Sequence, residues 1–332
     1  MNKDKFLQIS ELSKSFQVRR GFLGTVSRKK AKFIQAVDGV SLEIKRGEIL
    51  GLTGESGCGK TTLGRLLTLF EDPTSGSINY DGINPTQQRG RELKKFRRKV
   101  QMIPQDPYES LDPRFTVYDS VVEPLVIHGV GSTKQEKMAM VKQALDFVSL
   151  KPAEAFMHQY PHELSGGQRQ RVAFSRALIL NPEFIIADEP VSMLDVSIRA
   201  GILNLILRLK KELGITFLFI THDLAVSKYI CDRIAIMYLG KIVEIGKTEE
   251  IIRDPKHPYT QILLSAVPVP DIGYKRKRVM VGEVPDTTAL PSGCSFHPRC
   301  PYVMQICREK EPELMLIQRE RAASCHLVSE EA

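Results

Sequence analysis

Residues 54–61 read Gly-Glu-Ser-Gly-Cys-Gly-Lys-Thr, and this stretch decides the fold. It matches the pattern G-x-x-x-x-G-K-[ST] of a phosphate-binding loop, which requires a strand before it and a helix after it. Residues 48–53 form a short run that is typical of a buried strand. The apolar residues after the loop recur at helical spacing: Leu63, Leu66, Leu67 and Phe70. The sequence therefore predicts a strand, a loop and a helix that together bind the phosphates of a nucleotide.

The chemistry of this loop follows from its residue types. Glycines let backbone N–H groups turn inward around the β-phosphate, and the start of the helix adds a positive dipole. We expect Lys60 to reach the β- and γ-phosphate oxygens and the Thr61 hydroxyl to bind Mg²⁺. Cys58 stands at a variable position and is interpreted as a bystander. The predicted ATP contacts in this stretch are Gly54, Glu55, Ser56, Gly57, Cys58, Gly59, Lys60, Thr61 and Thr62.

A second apolar run ends in two carboxylates. Residues 184–189 read Phe-Ile-Ile-Ala-Asp-Glu. A buried strand of this kind would deliver Asp188 to the Mg²⁺ ion and place Glu189 one residue further along. In isolation such a pair of carboxylates is typical of a solvated strand end. In a chain that also has a phosphate-binding loop, the pair indicates a role in nucleotide hydrolysis. We predict that Glu189 polarises the water that attacks the γ-phosphate.

The order of strands and helices predicts an α/β fold. Residues 40–44 alternate apolar and polar, as in an antiparallel strand, whereas residues 107–182 carry few strand signals and predict a mostly helical insert. Later strands alternate with helices, which implies a largely parallel sheet covered on both faces. A hairpin is expected across Gly240 and Lys241. The predicted domains are 1–265, which binds the nucleotide and contains the helical insert, and 266–332, a cysteine-rich tail.

Composition and charge limit the class of protein. The chain has 332 residues, of which 42% are hydrophobic and 26% charged, as is typical of a soluble globular protein. Its apolar runs are far shorter than the about 20 residues of a membrane-spanning helix. The first residues lack the apolar segment of a secretory signal, so a cytosolic site is expected. The net charge of +8 suits nucleic acid, an anionic membrane or phosphate ligands equally.

A third motif precedes the acidic strand end. Residues 164–168 read Leu-Ser-Gly-Gly-Gln, where a serine that opens a helix beside bare glycine backbone makes a second anion site. With this motif the chain resembles the ATP-binding-cassette (ABC) ATPases, which implies a P-loop cassette fold. In that family two cassettes pair head to tail, and each ATP lies between one P-loop and the partner's signature. The signature residues implied here are Leu164, Ser165, Gly166, Gly167 and Gln168.

The same resemblance implies roles for four further positions. Gln105 would contact Mg²⁺ or water and sense the membrane subunit, and Asp195 would cross the dimer interface. His222 would contact the γ-phosphate and act beside Glu189 in catalysis. Phe16 resembles the aromatic residue that stacks on adenine, although Phe33 is an alternative because a basic insert separates the first strands. The implied Mg²⁺ ligands are Thr61, Gln105 and Asp188.

Three segments resemble the oligopeptide and dipeptide importer ATPases in particular. They are residues 105–113 (Gln-Asp-Pro-Tyr-Glu-Ser-Leu-Asp-Pro), 257–260 (His-Pro-Tyr-Thr) and 293–301 (Gly-Cys-Ser-Phe-His-Pro-Arg-Cys-Pro). The resemblance implies a second ATPase subunit, often a different chain, two membrane-spanning permease subunits and an external binding protein. It also implies a peripheral site on the cytoplasmic face of the inner membrane. One departure is Thr-Thr-Ala-Leu at 287–290, where a more proline-rich stretch is expected.

Other uses of such a cassette remain alternatives. Soluble ABC ATPases act on nucleic acid or ribosomes, but those relatives usually carry tandem cassettes, coiled coils or zinc modules. This chain has a single cassette, and its basic residues lack the interleaved aromatics of a stacking platform, so no nucleic-acid partner is expected. Nickel and oligosaccharide importers use similar ATPases and stay open as alternatives.

The tail contains four cysteines with five, six and seventeen residues between them: Cys294, Cys300, Cys307 and Cys325. Four thiolates are enough for an iron–sulfur cluster or Zn²⁺, and the spacing does not match paired C-x-x-C knuckles. Resemblance to the peptide-importer ATPases implies a [4Fe–4S] cluster, with zinc and free thiols as alternatives. His297 and His326 stand beside these cysteines, so a mixed site is also open. A metal there would act as a structural clamp or as a redox or iron sensor.

Overall fold

The computed structural model describes residues 5–17, 33–106, 110–265 and 290–329. The chain divides into two compact units. The first unit comprises Met1–Ile44, Leu50–Thr86 and His222–Ala332, and the second comprises Lys45–Ile49 and Gln87–Thr221. Across the described ranges, no helix has the length and apolarity needed to cross a membrane.

The regular elements of the described residues are numbered in chain order. The strands are β1 (Lys5–Gln17), β2 (Phe33–Lys45), β3 (Ile49–Thr53), β4 (Ser75–Tyr80), β5 (Val100–Ile103), β6 (Phe184–Asp188), β7 (Thr216–Thr221), β8 (Arg233–Tyr238), β9 (Lys241–Lys247), β10 (Met315–Gln318) and β11 (Arg321–Ala323). The helices are α1 (Lys60–Leu67), α2 (Gly90–Lys99), α3 (Val117–His128), α4 (Lys134–Phe147), α5 (Ala153–Met157), α6 (Gly166–Leu178), α7 (Val196–Leu213), α8 (Leu224–Ile230), α9 (Thr248–Arg253), α10 (Pro258–Ser265), α11 (Ile306–Glu309) and α12 (His326–Ser329).

The first unit contains the antiparallel sheet that the opening sequence predicts. Its strand order is β2-β1-β4, and Leu7 and Ile9 of β1 lie opposite Tyr80 and Ile78 of β4. Side chains on one face of a strand are two residues apart. Accordingly, the predicted alternation in β2 is confirmed, because its inward-facing side chains are all buried: Val40, Leu42 and Ile44.

A second sheet region of the first unit has the order β10-β11-β9-β8-β3. β3 pairs in parallel with β8, whereas β8, β9, β11 and β10 pair antiparallel. The turn between β8 and β9 is formed by Leu239 and Gly240, whose φ angles are 43° and 85°. Two positive φ angles are typical of the type I′ turn of a hairpin. The predicted turn at Gly240-Lys241 is therefore wrong by one residue, because Lys241 already belongs to β9.

The second unit contains the parallel strands β7-β6-β5 and the helices of the insert. Every residue of β6 and β7 is buried, which explains why both strands are continuous apolar runs rather than alternating ones. Between residues 110 and 182, α3, α4, α5 and α6 are present, and that described stretch contains no strand. α3 and α4 both begin with capping boxes, formed by Thr116 with Asp119 and by Thr133 with Glu136.

Candidate active site

The phosphate-binding loop connects β3 to α1 in the first unit. Two of its glycines are required by close backbone approach. A Cβ atom on Gly54 would lie 2.1 Å from the Met237 carbonyl oxygen, and one on Gly59 would lie 2.0 Å from that of Ala36. Gly59 also has a φ of 107°, which L side chains rarely adopt. The loop is therefore packed against neighbouring backbone in a form that only glycine permits.

Lys60 is buried at the start of α1 and points back into the loop. Its Nζ donates hydrogen bonds to the carbonyl oxygens of Gly54, at 2.7 Å, and Glu55, at 2.8 Å. The Cys58 sulfur lies 3.7 Å from the same ammonium. Burial raises the pKa of the Cys58 thiol, although the neighbouring charge of Lys60 opposes this shift. Cys58 is thus a buried neutral thiol, and the ammonium is held inside the ring of the loop.

The acidic strand end lies in the second unit. Asp188 closes β6 and is 2% exposed. Glu189 follows with a φ of 44°, in the left-handed region that glutamate seldom occupies, and its N–H donates to the Ile220 carbonyl at 2.9 Å. The Gln105 amide donates to the Glu189 carboxylate at 3.2 Å. Two residues separated by 84 positions therefore meet at the end of a buried strand.

Residues 164–168 form the start of α6. The Ser165 hydroxyl accepts a hydrogen bond from the Gln168 N–H at 3.3 Å, and the Gln168 side chain accepts one from the Ser165 N–H at 2.8 Å. The reciprocal half of this capping box, the bond made by the Gln168 side chain, was not predicted from the sequence, although the spacing S-x-x-Q signals it. A Cβ atom on Gly167 would lie 2.4 Å from a methyl group of Ile198 on α7. Ser165 remains exposed at the helix start.

The segment after Glu189 leads to α7. Arg199 donates to the Leu194 carbonyl at 2.7 Å and to the Ser192 carbonyl at 3.4 Å, so its guanidinium fixes this segment. No sequence motif indicated this role for Arg199. Asp195 is the exposed residue before α7, and His222 is exposed after β7.

The two aromatic candidates for adenine stacking are both exposed in the first unit. Phe16 on β1 is 37% exposed, and Phe33 at the start of β2 is 55% exposed. The Lys14 ammonium lies 5.0 Å from the centre of the Phe16 ring. Both rings therefore remain candidates. The basic insert at 18–32, residues 107–109 and the departure at 287–289 lie outside the described residues.

The structure assigns the candidate residues to two groups. The first unit holds the loop residues, including Lys60 and Thr61, together with Phe16, His222 and the four tail cysteines. The second unit holds Gln105, Ser165, Asp188, Glu189 and Asp195.

Three residues beyond the loop in sequence support Glu55. The Glu55 N–H donates to the Tyr259 hydroxyl at 2.9 Å. Arg299 donates two hydrogen bonds to the Glu55 carboxylate, at 2.8 and 2.9 Å, which raise the pKa of the guanidinium. His257 accepts a hydrogen bond from the Tyr259 N–H at 3.0 Å, and complete burial lowers the pKa of this imidazole to about 3. In the sequence, the segments 257–260 and 293–301 that contain these residues were noted only for their resemblance to a family.

The four tail cysteines influence one another electrostatically. Burial raises the pKa of Cys294 to about 11, and the nearby Cys307 and Cys325 add to this shift. Burial likewise raises the pKa values of Cys300 and Cys325. Within the ranges that the structure describes, no three His, Cys, Asp or Glu side chains are arranged to hold a metal ion. The predicted metal-binding tail is therefore not supported by the arrangement of these side chains.

The two tail histidines contact backbone. A ring nitrogen of His297 lies 3.0 Å from the Cys294 carbonyl oxygen, and one of His326 lies 2.9 Å from that of Lys310. Each imidazole thus has a carbonyl partner, which leaves only its other nitrogen for a mixed cysteine–histidine site.

Comparison with known proteins identifies the family. Residues 37–192 match the family described as ABC transporter, and residues 243–307 match the family described as oligopeptide/dipeptide transporter, C-terminal region. YkfD of Bacillus subtilis (strain 168) is 47% identical over 330 residues, which cover 98% of this chain and 97% of that protein. The oligopeptide transport ATP-binding protein AppF of the same organism is 44% identical over 332 residues, covering 99% of each.

Solved structures of ATP-binding cassettes have a similar fold. A dimer of the ATP-binding cassette MJ0796 with ADP and phosphate has a TM-score of 0.63 and 31% identity, covering 73% of this chain and 98% of the other. The structure of cbiO1 from Clostridium perfringens, part of the ABC transporter complex cbiONQ, has a TM-score of 0.63 and 29% identity, covering 76% and 92%. With a phosphate-binding loop, an acidic strand end and near full-length relatives, this chain belongs to the ATP-hydrolysing subunits of the ABC transporter family.

Proposed function

We propose that this chain is the ATP-hydrolysing motor of a di- or oligopeptide importer. The observation that carries the proposal is similarity over nearly the whole length to relatives named for peptide transport, including the tail region. ATP binding would close a pair of cassettes, and hydrolysis would reset the transporter. The parts that this mechanism needs are a phosphate cradle, an Mg²⁺ ligand and a carboxylate that polarises water.

The first unit supplies the cradle. Residues 54–59 form a ring of backbone in which Gly54 and Gly59 leave no space for a side chain. The N-terminus of α1 adds its positive dipole. Lys60 already makes two charge-assisted hydrogen bonds inside the ring, which it can exchange for phosphate oxygens. These features fit a triphosphate.

The second unit supplies the acidic groups. Asp188 is a buried carboxylate at a strand end, and Mg²⁺ prefers hard oxygen ligands of this kind. Thr61 and Gln105 are the other proposed Mg²⁺ ligands. The metal, when bound, neutralises charge that develops on the transferring phosphoryl group. Glu189 would polarise the attacking water, and the Gln105 amide orients its carboxylate at 3.2 Å. His222 would contact the γ-phosphate.

The signature residues complete a partner's site in this proposal. Ser165 is exposed at the N-terminus of a thirteen-residue helix, where backbone N–H groups attract anions. Residues 164–168 and Asp195 would therefore face the ATP of a second ATPase subunit, proposed to be a paralogous chain. Two permease subunits and an external binding protein complete the transporter, with this chain peripheral on the cytoplasmic face of the membrane. No nucleic acid is involved.

For the tail we propose a [4Fe–4S] cluster held by Cys294, Cys300, Cys307 and Cys325, with Zn²⁺ as the alternative. The support is the donor set, since the four cysteine thiols act on one another electrostatically. Binding would replace their protons, because thiolates are the ligands. Anaerobic purification is expected to give brown protein with iron and sulfide. Colourless protein with stoichiometric zinc would contradict the cluster.

Uptake by cells tests the proposed cargo. In a strain that lacks the gene, the full chain is expected to restore uptake of labelled di- and oligopeptides and to co-purify with permease subunits. A Lys60→Ala chain is the matched control and should restore nothing. Restored uptake of nickel or of an oligosaccharide, without peptide uptake, would overturn the peptide assignment.

A further inference from the structure

The tail of this chain contacts the phosphate-binding loop directly. Arg299 belongs to the short 3₁₀ helix His297–Arg299, and its guanidinium makes a two-pronged ion pair with Glu55 at 2.8 and 2.9 Å. Its side chain is only 8% exposed. Paired hydrogen bonds between guanidinium and carboxylate fix both the distance and the angle between two side chains. The contact therefore holds the loop in one orientation.

A second contact secures the backbone of the same residue. Tyr259 at the start of α10 accepts the Glu55 N–H at 2.9 Å. Tyr259 is itself fixed, because its ring packs 4.6 Å from that of Tyr238 and 5.5 Å from that of Phe296. The Arg299 guanidinium lies 5.8 and 5.9 Å from the centres of the Tyr238 and Phe296 rings. One rigid aromatic cluster thus positions both groups that hold Glu55.

The segment that Arg299 and Tyr259 hold also contacts Lys60, which links the tail to nucleotide binding. Lys60 donates to the carbonyl oxygens of Gly54 and Glu55, the same two-residue segment that Arg299 and Tyr259 secure. An incoming phosphate would draw the ammonium away from these carbonyls. The contacts of Arg299 and Tyr259 do not involve the ammonium, so they persist after this exchange. A loop that already has its binding shape loses less conformational entropy when the nucleotide binds, so the affinity is higher.

We propose that Arg299 is a positioning residue for ATP, acting through Glu55 to keep the phosphate-binding loop in its binding-competent shape. The proposal rests on the proposed role of residues 54–61 as the ATP cradle. It makes the C-terminal tail part of the nucleotide site rather than an appendage. Loss of the ion pair should weaken ATP binding while leaving the turnover of bound ATP nearly unchanged.

A double-mutant cycle on the full chain tests this proposal. The probe is a fluorescent ATP analogue with Mg²⁺, and thermal melting without nucleotide is recorded in parallel. Arg299→Met and Glu55→Gln should each raise the Kd about tenfold, and the double variant should be no weaker than either single variant. Arg299→Lys keeps the charge without the two-pronged geometry and should fall between wild type and Arg299→Met. Independent, multiplying effects on the Kd would overturn the proposal.

A matched control separates positioning from general stability. Arg321 on β11 makes another buried ion pair between the tail and the rest of the first unit, with Glu244 at 3.1 Å. Arg321→Met should lower the melting temperature at least as much as Arg299→Met yet leave the Kd within about twofold, and Arg321→Lys provides a milder form. If the Kd for the analogue rises in step with the loss of melting temperature in both the Arg299 and the Arg321 variants, Arg299 has only a structural role.

One further variant distinguishes failure of this proposal from failure of the proposed cradle. Lys60→Ala should abolish binding of the analogue. If Lys60→Ala binds like wild type, the cradle itself is misassigned. If Lys60→Ala loses binding but Arg299→Met and Glu55→Gln do not, the cradle stands and the role of Arg299 is refuted.

Discussion

Residues 54–61 are held by side chains that are distant in sequence, whereas the capping hydrogen bonds of residues 164–168 form within their own segment. Arg299 lies 244 positions from Glu55, but Ser165 and Gln168 cap each other across three. The first segment surrounds a buried lysine, and the second begins with an exposed serine. This difference fits the proposed roles, in which residues 54–61 form a preorganised ATP cradle within one subunit and the exposed start of α6 faces the ATP of a partner subunit.

The largest expected effect comes from breaking the cradle. Gly59→Ala would place a Cβ atom 2.0 Å from the Ala36 carbonyl oxygen, so the loop must shift. We expect ATP binding to weaken by more than about 100-fold, or about 2.7 kcal/mol, in a fluorescence titration. Gly82→Ala is the control, because Gly82 also has positive φ, at 87°, but open space around it. Equal Kd values for the two variants would contradict the requirement for close packing.

The second segment is expected to act in turnover and not in binding by the same chain. Ser165→Arg places a bulky charge at the exposed start of α6. ATPase activity of the assembled transporter should fall about 100-fold, as when a transition-state donor is lost, while the Kd of this chain for ATP stays within about twofold. Weakened binding by the isolated chain would instead place Ser165 near its own nucleotide. The comparison between the two segments would then fail.

Acid should destabilise the folded chain through His257, which supports Tyr259 and, through it, residues 54–61. The pKa of His257 is about 3 in the folded chain against an ordinary value of 6.5. The imidazole is neutral when folded, so its stabilising contribution is full above pH 6.5 and is lost as the pH falls toward 3. At pH 5 the free energy of unfolding should be lower by about 2 kcal/mol from this group. His257→Gln should give a flatter pH profile in urea denaturation, and parallel profiles would contradict the assignment.

The smallest effect concerns the local cap. Ser165→Ala removes one of the two capping hydrogen bonds of α6 and should lower the free energy of unfolding by about 1 kcal/mol. Thr133→Ala removes the equivalent bond at α4 and serves as the matched control. Similar losses in urea denaturation are expected, with ATPase activity reduced only for Ser165→Ala. A much larger loss of stability at Ser165 would show that this segment, too, depends on distant contacts.

The fold was largely predictable because its signals are local. The apolar runs that became β6 and β7, the glycine pattern before Lys60 and the alternation in β2 each report on a few neighbouring residues. The hairpin turn was misplaced because Leu239 adopts the positive φ normally left to glycine or asparagine. Local patterns therefore gave the elements, with small errors at turns.

The supports of the candidate site were not predictable, because they join distant positions. Neither Gln105 meeting Glu189 nor Arg299 meeting Glu55 follows from periodicity or propensity. No motif marked Arg199, and Tyr259 stood out only through the family resemblance of its segment; the folded backbone brings both to the segments they hold. The motifs indicated candidate residues for ATP binding and hydrolysis, whereas the structure shows which contacts hold two of these candidates, Glu55 and Glu189, in place.

The central claim is that Glu189 activates water at a nucleotide that the phosphate-binding loop holds. Its most direct test compares Glu189→Gln with wild type in the assembled transporter, measuring the Kd for ATP and the rate of phosphate release. We predict a Kd within about twofold and turnover lowered by at least about 100-fold, since the amide keeps the shape but cannot act as a base. Turnover close to that of wild type would contradict the account.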